Sequence, residues 1–113
     1  MPFINVKTNT SINQEDETKI KAKLGEAIKI LGKSETWLML NFDDNQRMYF
    51  RGDNTSKMAF VEIDLYGRAS ASSYNSMTEA VTEILNKELS IEPDKIYVKY
   101  GEVENWGFNG SNF

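Results

Sequence analysis

The chain has 113 residues, 40% of them hydrophobic and 27% charged, with a net charge of −4. That is enough for one domain (1–113) with one core and too little for two, and the composition is that of an ordinary globular protein. The acidic balance argues against nucleic acid as the main partner, no apolar run reaches membrane-spanning length, and the start lacks the basic and apolar regions of a signal peptide.

The absences narrow the chemistry further. Cysteine and histidine are both missing. There is no disulfide, thiol nucleophile, thiolate or imidazole metal ligand, and no Ser-His-Asp or Cys-His arrangement. Proton transfer near neutral pH must use another group. Met1 is followed by Pro2. Removal of Met1, which the small neighbour favours, leaves Pro2 with a free secondary amine. A chain-terminal amine titrates at about 7.7–8.0, and burial or a nearby cation lowers that value. Pro2 is therefore the candidate general base. A Met-Pro start also occurs with no catalytic meaning, so the rest of the chain must supply the site.

Residues 3–8 alternate well enough for a first strand. Residues 13–31 are expected as a helix. Asn13 or Ser11 is placed to cap it, and Glu15, Asp16 and Glu17 suit its dipole. Ile20, Leu24, Ala27, Ile28 and Leu31 form its apolar stripe, and Gly32 ends it. The nearly continuous apolar run 37–42 predicts a strand covered on both faces. Met48, Tyr49 and Phe50 suggest a short extra strand, and residues 51–56 a loop. Residues 58–66 predict the next strand, ended by Gly67.

Ser70 to Ser73 are capping-prone, and Met77, Val81, Ile84, Leu85 and Leu89 mark a second helix over 74–89. Pro93-Asp94 breaks the chain before a strand over 96–100. Each half repeats β-α-β. The expected class is α/β (α+β), with a mixed four-stranded sheet, short extra strands and both helices on one face. The tail 102–113 has two interior glycines and three large aromatics, Trp106, Phe108 and Phe113, too aperiodic for a helix. Such a tail either folds onto its own domain or docks on another copy.

The chain resembles the macrophage migration inhibitory factor family of the tautomerase superfamily over essentially its whole length. The resemblance rests on four pieces in order: Met1-Pro2-Phe3-Ile4, Leu31-Gly32-Lys33, the stretch from Ile91 through Pro93-Asp94 to Val98, and the tail from Asn105 to Phe113. It implies a homotrimer with sheets facing a central axis and an active site at each subunit interface. It implies keto–enol tautomerisation of phenylpyruvate-like acids and D-dopachrome-like substrates, with no metal or organic cofactor. Pro2 matches the family's base. Lys33 matches the lysine that binds the substrate's carboxylate or carbonyl oxygen; it would stabilise a developing enolate and help keep Pro2 uncharged. A lysine there also simply suits a helix C-terminus. Tyr97 matches a pocket-edge tyrosine from a neighbouring subunit, and Phe113 a pocket-lining phenylalanine.

Several positions depart from the best-known members. Tyr66 stands where isoleucine is usual, and its backbone is expected near substrate. Lys99 stands where an asparagine usually meets the substrate's distal hydroxyl, adding a second cation. Trp106 replaces a valine, Phe108 a tryptophan, and Ser34 a proline. The family's Cys-Ala-Leu-Cys stretch aligns with Met58-Ala59-Phe60-Val61, so its proposed thiol redox activity is not expected. A cytokine-like protein acting on a host receptor is the alternative reading, on analogy alone. A related hydration, dehalogenation or decarboxylation is a third, but the added arginine and glutamate those reactions recruit cannot be placed. The expected location is cytoplasmic, or secreted without a signal peptide.

Overall fold

The first strand, β1 (Pro2–Thr8), is an inner strand of the sheet, with partners on both sides. The computed structural model describes residues 1–113. β1 pairs parallel with β2 (Met39–Asp43) and antiparallel with β3 (Ala59–Tyr66), and β3 pairs parallel with β4 (Ile96–Val103). The strand order is β2-β1-β3-β4. A proline at the first position of β1 costs no interior ladder bond, because its missing N–H falls at the strand's start.

Alternation on β1 and β3 decides which face is core. Ile4 and Val6 on β1, and Val61, Ile63 and Leu65 on β3, are wholly buried. Their neighbours Phe3, Asn5, Lys7, Phe60, Glu62 and Asp64 face the other side and are partly exposed. The helices α1 (Gln14–Ala27) and α2 (Ala71–Leu89) cover the buried face, so both lie on one side as expected. Their predicted stripes are the buried ones: Ile20, Leu24, Ala27, Ile28 and Leu31 from the first, Met77, Val81, Ile84, Leu85 and Leu89 from the second. Thr8 is the one buried polar residue, and its hydroxyl donates to the Met58 carbonyl at 2.7 Å.

The helix ends follow the residues that cap them. Asn13 accepts from the Asp16 N–H at 2.8 Å, and Ser70 accepts from the Ser73 N–H at 3.1 Å. The Ser70 cap starts α2 at Ala71, three residues before the expected 74. The first helix tightens into a 3-10 turn over Ile28–Leu31 and stops at Gly32, whose φ of 73° needs glycine's freedom.

Three expectations differ from the structure. The run 37–42 is not one strand. Ser34 caps a 3-10 turn over Glu35–Trp37 by accepting from the Thr36 N–H, and the strand begins only at Met39. Nor is that strand covered on both faces, since β2 is an edge strand and Met39 is 68% exposed. Residues 48–50 form no strand; Phe50 makes one isolated bridge to Asp53. Finally, β4 runs on to Val103, and the tail closes into a hairpin, β5 (Gly107–Phe108) with β6 (Ser111–Asn112). Asn109 and Gly110 make its turn with φ of 53° and 89°.

The core assignment predicts a graded response to substitution. Ile63→Ala removes a wholly buried side chain between sheet and helices and should cost about 2–5 kcal/mol. Ser70→Ala removes only the α2 cap and should cost about 1 kcal/mol. Urea unfolding midpoints of the two variants check the order; an Ile63→Ala midpoint no lower than that of Ser70→Ala would contradict the placement of the core.

Candidate active site

The start of β1, the end of β3, the turn before β2 and the tail hairpin meet at one end of the sheet. A cavity of about 590 Å³ opens there. Its wall includes Pro2 and Phe3 from β1, Trp37 from the 3-10 turn, Asp64 from β3, and Trp106 and Phe108 from the tail. The hairpin holds the tail's aromatics in place, with the Phe113 N–H donating to the Trp106 carbonyl at 3.1 Å. Trp37 meets Phe108 edge-on at 5.3 Å, Phe108 stacks on Phe113 at 6.2 Å, and Phe113 meets Tyr66 at 5.6 Å. Those are favourable aromatic separations, and they make a continuous band of four rings beside the chain's first residues.

Lys33 reaches this end because Gly32 turns the chain out of the first helix. Its ammonium donates to the Tyr66 carbonyl at 2.9 Å, while the Tyr66 N–H donates to the Met1 carbonyl at 3.0 Å. Tyr66 thus ties Lys33 to the chain's start through its backbone, and its ring joins the aromatic band. The N-terminal amine lies below its ordinary value of 8.0. Burial is the larger cause, because it disfavours the charged form; the Lys33 ammonium adds to it by repulsion. That amine belongs to Met1 here, and Pro2, one residue further in, is buried.

So Pro2, Lys33, Tyr66, Trp106, Phe108 and Phe113 come together. Tyr97 and Lys99 do not join them within one chain. Tyr97 pairs with Phe60 on β3, five residues from the Leu65 that pairs with Pro2, or roughly 17 Å along a strand. It packs on Phe50 and Phe60 at 5.1 and 6.1 Å and is 57% exposed. Lys99 is no free second cation, for it pairs with Glu62 at 3.1 Å. Lys7 holds the other oxygen of the same carboxylate at 2.9 Å. Hydrogen bonds from Lys7 and then Lys99 hold the Glu62 carboxyl below its ordinary value. Trp37 and Asp64 are wall residues that no motif marks, and Phe3 is one whose motif gave it no role. Asp64 follows only from register, since it lies across from Phe3.

A groove of similar volume, about 550 Å³, runs between the outer faces of α1 and α2. Its ionisable groups are Lys23, Glu26, Glu83 and Lys87.

A profile of the family described as macrophage migration inhibitory factor (MIF) matches residues 1–113. The chain belongs to the macrophage migration inhibitory factor family. It is similar to the macrophage migration inhibitory factor of Xenopus laevis, 27% identical over all of this chain and 99% of that protein. Its similarity to the homologue from Brugia malayi has the same extent and identity. Among solved structures, the crystal structure of Leishmania major MIF2 matches with a TM-score of 0.93 and 29% identity, covering all of this chain and 97% of that one. The homologue from Prochlorococcus marinus matches with a TM-score of 0.88 and 25% identity, over 98% of each chain. The two helices and mixed four-stranded sheet are thus those of the macrophage migration inhibitory factor fold. No helix is long and apolar enough to cross a membrane.

Because repulsion from Lys33 lowers the amine, Lys33→Met should raise the pKa of the N-terminal amine and Lys33→Arg should leave it low. NMR titration of an amine isotopically labelled at the first residue checks this. An unchanged pKa in Lys33→Met would mean that burial alone sets it.

Proposed function

We propose that this protein is a keto–enol tautomerase acting on phenylpyruvate-like or D-dopachrome-like substrates, with Pro2 as its base once Met1 is removed. The observation that carries this reading is the placement of Pro2, buried at the chain's start in the wall of an aromatic cavity, with Lys33 tied to that start through the Tyr66 backbone. The chemistry needs no other proton carrier. The Pro2 nitrogen takes a proton from the carbon next to the substrate's carbonyl. The electron pair of that C–H bond forms the enol double bond, and the carbonyl oxygen takes up the charge. Lys33 faces that developing oxyanion or the neighbouring carboxylate. The proton on Pro2 then passes to the oxygen, which completes the enol and frees the amine. The ring of the substrate lies among Trp37, Trp106, Phe108 and Phe113, and the Tyr66 backbone borders the reacting end.

The substrate is a small aromatic 2-keto acid, and the reaction needs neither metal nor organic cofactor. We also propose that the working unit is a homotrimer in which Tyr97 of one subunit reaches the Pro2 cavity of the next. Its exposure, its distance from Pro2 within one chain and the uncovered edge strand β2 all support this. Lys99, held by Glu62, is then a wall of that interface, and its charge is mostly spent before substrate arrives.

Mature protein should convert phenylpyruvate between keto and enol forms, followed by absorbance. Pro2→Gly should lower kcat/KM by about 10²–10⁴-fold, the usual worth of a positioned base; near-normal turnover would remove Pro2 from the role. Blocking the amine with a retained Met1 should have the same effect.

The pH dependence has a definite sign. The base works unprotonated, so kcat/KM should rise with pH and level off once the Pro2 amine has lost its proton, which burial and the Lys33 charge should bring below the ordinary range of about 7.7–8.0 for a terminal amine. In Lys33→Met the rise should shift to higher pH. A profile that falls across that range would contradict an amine base.

A further inference from the structure

The cavity wall carries one charge that the reaction above does not use. Asp64 sits on β3, directly across from Phe3 and beside Gly101 of β4. Its neighbours Ile63 and Leu65 are wholly buried in the core, so the Asp64 side chain turns to the face of the sheet away from the helices. Gly101 lies inside a strand, where glycine weakens the ladder and marks a close approach. What approaches is Asp64: a Cβ at position 101 would overlap its Oδ1. Gly101 does not need glycine for a left-handed turn, since it is not among the residues with positive φ. It is the room that the carboxylate needs.

The same carboxylate has no cation. None of the five ion pairs includes Asp64. Glu62, two residues earlier on the same face, takes both Lys7 and Lys99. Lys33 comes from the helical side and donates to the Tyr66 carbonyl. An anion without an ion pair therefore lines the aromatic cavity, and a cation held on the Tyr66 carbonyl lies at the same end of the β1–β3 pair from its other face.

We infer that Asp64 determines which aromatic acids the cavity accepts: it favours a ring whose far end carries an ammonium or another hydrogen-bond donor, and it excludes a second carboxylate. This rests on the reading of the cavity as a site for aromatic acids. With the ligand's acid group toward Lys33 and its ring against the cavity faces of Trp37, Trp106 and Phe108, the remote substituent meets Asp64. An ionised carboxylate only accepts hydrogen bonds, so it pairs with an amine or phenol. Against a second carboxylate it is a like charge in a site from which the ring has displaced water, where repulsion is strong.

The test uses unreactive acids, so that binding is read without turnover. Dissociation constants of 4-(aminomethyl)phenylacetate, 4-carboxyphenylacetate and plain phenylacetate are measured on the mature full chain by calorimetry. The ammonium compound should bind about tenfold or more tighter than the dicarboxylate, as expected for one charge contact in a partly dry site. Asp64→Asn should bring the two within about twofold and leave phenylacetate unchanged. Asp64→Ser replaces it if the first variant does not fold. Equal affinities in the wild type, or a preference that survives both substitutions, would overturn the inference. Phenylpyruvate turnover measured alongside separates the two claims. Turnover with equal affinities would overturn the role of Asp64 alone. The preference without turnover would overturn the tautomerase and leave Asp64 standing. A folded protein that binds none of the three acids would overturn both.

Discussion

The structure depends on a chain start held inside a sheet. Terminal residues usually fray, but here β1 pairs with β3 from Pro2 and with β2 from Phe3. The Met1 carbonyl is tied to the Tyr66 N–H, and Pro2 is buried. The amine therefore has a fixed environment in place of a cloud of solvent-exposed positions. Two consequences follow from the same constraint. Burial at the sheet end disfavours the charged amine, and the fixed position lets Lys33 act on it. In the proposed reaction a base at this chain start would be positioned before any ligand arrives, which is where much of the gain from orientation comes from.

The helices were legible because their signals are local. Ile20, Leu24 and Ile28 repeat at helical spacing, as do Met77, Val81 and Leu85, and Asn13, Ser70 and Gly32 mark ends where the backbone needs them. β3 was legible from its alternation between core and open face. The stretch 37–42 was not, because a continuous apolar run reads the same whether its own core or another surface covers it. In the structure Trp37 is in the cavity wall and Met39 lies on an exposed edge, so that apolar character serves surfaces outside the core. Met48 to Phe50 had no alternation and found no continuous partner. The Asn109–Gly110 pair is a turn signal, yet strands of two residues are too short to show alternation.

The site was less legible than the fold. Chemistry alone made Pro2 the candidate, because the chain has neither histidine nor cysteine. Lys33, Tyr66 and the tail aromatics needed the resemblance, since they are scattered over 81 positions, 33 to 113, and only the sheet end joins them. Asp64 matched no motif, for its position follows from pairing with Phe3 and from a glycine on the next strand. Lys99 looked like an added cation by sequence, and the structure spends it on Glu62. A charge counted along the chain is not a charge available to a ligand until its neighbours across the sheet are known.

That distinction bears on how assembly and chemistry are joined. Lys7 and Lys99 share Glu62 on the open face, so that cluster keeps one positive charge, while Asp64 on the same face has no ion pair. A neighbouring subunit that meets this face would have to match both. The cavity, by contrast, is walled on one side by exposed rings, Phe108 at 49% and Phe113 at 56%. Any surface that closes over those rings removes water from beside the amine. Burial is already the larger of the two effects lowering that amine, so closure strengthens the dominant one, while the repulsion from Lys33 also grows as the surroundings dry. In the proposed trimer the neighbour that supplies Tyr97 would therefore tune the base as well as complete the wall, which gives a physical reason for placing such a site at an interface.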